Sequence, residues 1–367
     1  MRRSTMTKPV VMLAFLAAVA GAVLPASAAG QKAPGMYATA AEARTAGPAF
    51  DIQGEYEGTI GGNAKKKVGV QVIALGGKEF QAVFLAGGLP GAGWDGKTKV
   101  LCQGTLEGGK VTFAPAAGKR KYMAGRPSEF SATATFPPKT QKDYTAAIEG
   151  EALTGKTDTG EAIAARKVHR KSPTLGAKPP AGAVVLLAYE PGKAPSLEAW
   201  KNQKWHRDPE GFVRVIRRSG GNSSTQTFAG PWRMHVEFMS PFQPTARSQG
   251  RGNSGVFPPG GREIQVLDSF GLEGKPNECG GIYKSHPPRV NMCLPPLSWQ
   301  TYDVEYHPGG KGADGKNEPA WYKVVHNGVV IHEKLNLGRA RTGTLNLQDH
   351  GNPVSYRNIW FVVRKRD

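Results

Sequence analysis

The chain has 367 residues and a formal net charge of +19, and that length exceeds what one compact domain usually holds, so two domains are expected. Lys and Arg are spread along the chain, grouped only at Lys65-Lys66-Lys67, Lys119-Arg120-Lys121 and Arg364-Lys365-Arg366, without a nucleic-acid motif. Nucleic acid is therefore not expected as a partner, and the charge fits a solvated surface that favours anionic polysaccharide or an anionic cell envelope.

The first element is a leader. Arg2, Arg3 and Lys8 precede an apolar run from Val10 to Val23, followed by Pro25 and Ala26-Ser27-Ala28. This is the order of a secretory signal peptide cleaved after Ala28, and the run is short for a membrane anchor. A secreted or periplasmic location follows. No later segment is apolar enough to span a membrane, and no Cys stands after the cleavage site to carry a lipid. Residues 29–49 are expected to be flexible.

Residues 50–170 form a train of short, Gly-punctuated alternating runs. K-K-K-V-G-V-Q-V-I-A-L puts Val68, Val70 and Val72 on one side, and after Gly76-Gly77 the run K-E-F-Q-A-V-F-L-A does the same with Phe80, Ala82 and Phe84. The pair predicts a hairpin in a small antiparallel barrel or sandwich. No clustered carboxylates, His pairs or nucleophile motif occur there, so an accessory or binding module is expected. Ser172 to Ala183, rich in Pro and Gly, predicts an exposed linker over 171–183.

From Val184 to Asp367 strand signals return without long helical patterns. W-R-M-H-V-E-F-M alternates Trp232, Met234, Val236 and Phe238 against Arg233, His235 and Glu237, and Ile264 and Val266 alternate against Glu263 and Gln265. Asn327-Gly328 between apolar runs marks a hairpin. About a dozen such strands fit a double-layered antiparallel jelly roll, whose last strand, Tyr356 to Val363, is expected to pair beside early ones. Cys279 and Cys293 are expected to form a disulfide, leaving Cys102 as a small buried residue.

T-G-T-L-N-L-Q-D-H-G, Thr342 to Gly351, reads as a strand with Leu345 and Leu347 on one side and Asn346, Gln348 and His350 on the other. With His235, Glu237, Glu263, Gln265 and the approach at Asn253, several polar-faced segments stand together. On an outer convex face they would meet only water; lining a concave face they would grip a sugar and move protons.

Seven motifs occur in order: N-S-G-V-F at Asn253, E-I-Q-V-L-D-S at Glu263, G-G-I-Y at Gly280, W-Q-T-Y-D-V at Trp299, H-N-G-V-V at His326, L-Q-D-H-G at Leu347 and Y-R-N-I at Tyr356. Together they resemble the 3-keto-disaccharide hydrolase family, formerly domain of unknown function 1080. The resemblance covers nearly all of the second domain and departs from the family at its start. There L-L-A-Y-E-P-G-K, Leu186 to Lys193, replaces a Phe-Asn-Gly-Lys entry. It implies a concanavalin-like jelly roll and cleavage of sugars oxidised at carbon 3. A base would take the carbon 2 proton, the enolate would expel the group at carbon 1, and water would add to the alkene.

That route needs a base, an acid and an oxyanion stabiliser. Glu263 and His350 lead as acid/base candidates, with Asp268 and Glu237 behind them. Asn253, Gln265, Tyr283, Lys284, Gln348 and Arg357 are candidate contacts to hydroxyls and the enolate. No cofactor is expected: His235, Glu237, Glu263 and His350 have the donor chemistry for a divalent ion, but no tight ligand motif is present. The alternatives to an enzyme are a lectin-like carbohydrate-binding module and a cell-envelope scaffold.

Overall fold

The computed structural model describes residues 35–61, 66–311, 315–339 and 342–364, and the expected leader lies outside them. Among the described residues no helix is long and apolar enough to cross a membrane. The segment expected to be flexible, 29–49, contains a short helix, Ala40–Thr45, capped by the Thr39 hydroxyl, which accepts from the Glu42 amide at 3.2 Å, and a second short helix, Ala49–Ile52, starts where that segment ends.

Eight strands follow: β1 (Gly54–Ile60), β2 (Lys66–Gly76), β3 (Glu79–Ala86), β4 (Lys99–Glu107), β5 (Lys110–Pro115), β6 (Thr145–Glu149), β7 (Ala152–Lys156) and β8 (Ala162–Val168). They close into an up-and-down barrel in which each strand pairs antiparallel with its chain neighbours and β1 pairs with β8. Closure leaves no sheet edge unpaired. Val70, Val72, Ala74, Phe80, Phe84 and Phe113 pack its interior.

The barrel is not a separate bead. From Val68 to Leu75 strand β2 is buried on both faces. Its outward residues Ile73 and Leu75, with Leu85, Leu101 and Phe130, join one apolar cluster with Leu267, Phe270, Leu272 and Met292 of the second half. The two halves belong to one compact unit.

The second half comprises β9 (Val184–Leu187), β10 (His206–Asp208), β11 (Phe212–Arg214), β12 (Asn222–Ser223), β13 (Trp232–Met239), β14 (Ser254–Phe257), β15 (Ile264–Val266), β16 (Gln300–His307), β17 (Ala320–His326), β18 (Val329–Gly338), β19 (Asn346–Leu347) and β20 (Ser355–Val363). The large sheet runs β10-β11-β20-β13-β16-β17-β18, with β9 beside β20, and the small one β12-β19-β14-β15. Their inner faces share a core of Trp232, Val236, Val256, Ile264, Val266, Tyr302, Leu347 and Tyr356. Val184 lies opposite Phe361, so the start and end of this sandwich meet. Asn327 and Gly328 both take positive φ, 49° and 81°, as the expected tight hairpin requires.

One expectation is corrected below. The stretch after β8 lacks regular structure and is largely exposed, and its first residues are tied down as a strap across the outer face of the large sheet. Ser172 is buried with its hydroxyl 2.6 Å from that of Thr301, the Thr174 hydroxyl donates to Asp303 at 2.6 Å, and the Gly176 amide donates to Glu237 at 2.6 Å. The thiols of Cys279 and Cys293 are free. Both are core residues, the Cys279 sulfur 3.3 Å from the Tyr302 hydroxyl, and they pack as small apolar side chains. Cys102 is buried inside the barrel, its sulfur 3.3 Å from the Tyr144 carbonyl.

Candidate active site

The small sheet turns Val256, Ile264, Val266 and Leu347 into the core, so alternation sends Gly255, Gln265 and the residues flanking these strands to its outer face. Gly255 stands opposite Gln265, and the Gln348 amide donates to the Gly255 carbonyl at 3.0 Å. A further extended segment lines up beside β15: Ile282 bridges Ile264, and the Tyr283 amide donates to the Glu263 carbonyl at 3.1 Å. This register puts the side chains of Tyr283 and Glu263 side by side on that face.

Glu263 is the centre of the group. Its carboxylate lies over Gly255, where any Cβ would collide with Oε1. The hydrogen-bonding pattern favours the Gln265 amide nitrogen pointing at Glu263 Oε1, 3.0 Å away, and at the Ser254 carbonyl, 2.9 Å away. Burial pushes the Glu263 carboxyl up to about 7. A carboxyl so placed exchanges its proton near neutrality, as an acid/base group needs.

Around it the side chains are amides and hydroxyls. Asn253 Nδ2 donates to the Gln249 carbonyl at 2.7 Å, while Asn253 Oδ1 and Gln348 Oε1 are buried without a hydrogen-bond partner among the described residues. Beyond Gln348 the face opens into a hollow of about 390 Å³ lined by Ser223, Phe257, Asn346 and Asp349. Ser223 donates to Asn346 across the β12–β19 pair. Gln249, Gly255 and Ser223 were not singled out from sequence; Gly255 had a signal in N-S-G, a glycine between polar and apolar strand positions.

The structure thus brings Glu263, Gln265, Asn253, Tyr283 and Gln348 together. His350 is exposed: β19 ends at Leu347, so the alternation expected to carry it along the row stops, and it sits on a turn held by Asp349, which accepts from the Gly220 and Gly351 amides. Lys284 is exposed at a position of positive φ, 56°, its ammonium 5.3 Å from the centre of the Tyr283 ring.

Three candidates lie elsewhere, and their assignment to one site with Glu263 is corrected. Asp268 is buried in an ion pair with Arg251, 2.6 Å, and Arg251 reaches on to the Ala74 carbonyl of the barrel at 3.3 Å. Glu237 and Arg357 lie on the outer face of the large sheet, beneath the strap. There Arg357 Nε donates to Glu237 at 2.7 Å and Asn358 Nδ2 at 2.8 Å, and His235 bridges Glu237, 3.3 Å, and Asp303, 2.6 Å. Burial alone would raise the Glu237 carboxyl, but the hydrogen bonds from His235, Asn358, Arg357 and Gly176 hold it below its ordinary value. The Arg357 guanidinium lies 3.9 Å from the ring centre of Tyr189 and 4.0 Å from that of Trp299. Tyr189 belongs to the L-L-A-Y-E-P-G-K stretch, whose work here is this stacking.

His235 and Glu237 are therefore on a different sheet from Glu263. Among the described residues no group of three or more His, Cys, Asp or Glu side chains is placed to hold a metal ion.

Residues 184–362 match the model of the 3-keto-alpha-glucoside-1,2-lyase-like domain. No curated protein matches the chain. Three solved structures from Parabacteroides distasonis ATCC 8503, each of a candidate glycosyl hydrolase, are similar to it. One is 30% identical with a TM-score of 0.42, covering 50% of this chain and 85% of its own. The second is 16% identical with a TM-score of 0.35, over 46% and 91%, and the third 18% identical with 0.34, over 48% and 99%. The stretch the family model spans is the sandwich that carries Glu263, and residues 184–362 of this chain belong to the 3-keto-alpha-glucoside-1,2-lyase-like family.

Proposed function

We propose that the protein is a carbohydrate-active enzyme that cleaves glycosides oxidised at carbon 3, using the outer face of the small sheet. The observation that carries the reading is Glu263: a carboxyl pushed up by burial to about 7 beside the side-chain amide of Gln265, inside the segment that matches the family.

The ketone at carbon 3 acidifies the carbon 2 proton. Glu263 takes that proton, and the electron pair forms an enolate. The enolate re-forms the ketone and expels the carbon 1 substituent with its bonding pair, leaving a carbon 1–carbon 2 double bond, and the departing oxygen takes up the proton held by Glu263, which restores the carboxylate. Water then adds, its oxygen to carbon 1 and its proton to carbon 2, and the product is the free 3-keto-sugar. The Gln265 amide, which can present either nitrogen or oxygen, serves both protonation states of Glu263. The Tyr283 hydroxyl, on the same face as Glu263, is suited to the substrate's hydroxyls.

Incubation of the purified protein with a 3-keto-glucoside, following release of the aglycone, tests the reading. Binding without release would instead make this face a lectin site. An exported setting accords with the reading, since the leader motif precedes the sandwich in the chain.

A further inference from the structure

A second cleft, of about 610 Å³, lies where barrel and sandwich meet, away from the face that carries Glu263. Its walls come from the β3–β4 connection with Trp94 and Lys97, from β4 with Lys99, from the segment 133–140 with Lys139, and from Glu273 and Arg289 of the sandwich. The size is that of a small-molecule or oligosaccharide site.

The walls are built rather than loose. Thr140 acts as a substitute strand partner for β4: its hydroxyl accepts from the Lys99 amide at 2.9 Å and donates to the Lys99 carbonyl at 2.8 Å. Gln141 repeats this at Leu101, at 2.9 and 3.0 Å. Opposite, the Trp94 indole is fixed by donation to the Thr98 carbonyl at 3.0 Å.

The charge in this cleft is unbalanced. Lys97, Lys99, Lys139 and Arg289 line the cleft with one carboxylate, Glu273, while Asp95 acts on Lys97 and Glu278 on Lys99 from outside the lining. Lys99 is the telling one: its side chain is only 12% exposed, its ammonium is 5.2 Å from the Trp94 ring centre, and its nearest carboxylate, Glu273, is 3.8 Å away and itself 34% exposed. Burial pulls the Lys99 ammonium below its ordinary value, so the site holds a cation at a cost. At the rim Arg289 is shared with Glu333 at 3.5 Å, whereas Lys97 and Lys139 are exposed. An anion entering here would meet Lys99 at the base, Lys97 and Lys139 at the lip, and an indole for a sugar ring to lie against.

We infer that this junction cleft is a second saccharide site, which binds an oligosaccharide carrying carboxylates, a uronate chain, and so gives the barrel the task of holding the protein on acidic glycan. Neutral sugars lack the charge that Lys97, Lys99 and Lys139 call for. Nucleic acid fits less well, because one aromatic surface is offered where successive bases need several.

The test is calorimetric titration of the full chain with an oligogalacturonate and with its methyl-esterified form, which keeps the shape and loses the charge. Binding of the acidic form should be measurable and weaken with added salt, and the ester should bind at least tenfold more weakly. The exposed Lys97→Glu/Lys139→Glu double variant should lose the binding at least tenfold while keeping its thermal unfolding and its turnover of a small 3-keto-glucoside. An equal charge change on the far side of the barrel, Lys156→Glu/Arg166→Glu, should leave binding within about twofold. No binding of the oligogalacturonate, equal binding of the ester, or equal loss in both double variants would overturn the inference. Because the turnover assay is separate, an inactive protein that binds the acid form would fail the catalytic reading and keep this one.

Discussion

The Gln265 side-chain amide on β15 stands 3.0 Å from Oε1 of Glu263, the residue just before that strand. Burial holds this carboxyl near pH 7, and turning one amide lets Gln265 donate to its anion or accept from its acid. If Glu263 is the base, kcat/KM should rise with pH and level off above a pKa near 7. Glu263→Gln should abolish that limb. A limb that persists in the variant would assign it to another group.

The same shift has a stability consequence. The folded-state pKa lies above the unfolded value, so the stabilising contribution of the neutral form is complete below the unfolded pKa and is lost as pH rises through 7. Glu263→Gln, which cannot ionise, should therefore be more stable than the parent at pH 8 by about 1 kcal/mol after allowance for partial exposure, and equal to it near pH 4. Denaturant titrations at the two pH values check the sign.

Gly255→Ala should put a methyl where the Glu263 carboxylate lies. The atoms in its way are the far end of one flexible side chain, so the fold should survive with Glu263 displaced. Turnover should fall by about tenfold to a hundredfold, the scale of a misplacement near 1 Å, with the far-ultraviolet spectrum unchanged.

Strand positions, the Asn327-Gly328 hairpin and the barrel-then-jelly-roll order were legible because period-two alternation and turn residues are local signals. Which side of a strand is the working side was not. His235 and Glu237 on β13 alternate with apolar residues just as Glu263 and Gln265 do around β15, yet His235 and Glu237 are sealed under residues 172–177 while Glu263 stays half-buried on the outer face of the small sheet. The difference is made by a strap more than fifty residues away in the chain, which alternation cannot reveal. The same holds for Cys279 and Cys293, whose sequence context suggested a bridged loop and whose place is the core. His350 missed the row because pairing of β19 stops at Leu347.

The buried Glu237–Arg357 pair should behave as structure. Glu237→Gln keeps the shape but leaves the Arg357 charge unmatched, a loss of roughly 3 kcal/mol for a broken buried pair. The unfolding midpoint should drop by several degrees, while KM and kcat of the folded protein stay close to those of the parent. Loss of turnover without loss of stability would place Glu237 in the chemistry instead.

The central claim is that Glu263 moves a proton on a 3-keto-glycoside. The direct measurement is single-turnover release of an aglycone from a 3-keto-glucoside by the parent protein, Glu263→Gln and His350→Ala. The parent should release the aglycone, Glu263→Gln should be slower by about a hundredfold or more, and His350→Ala, altered at an exposed turn, should lose far less. Release by Glu263→Gln at the parent's rate would contradict the account.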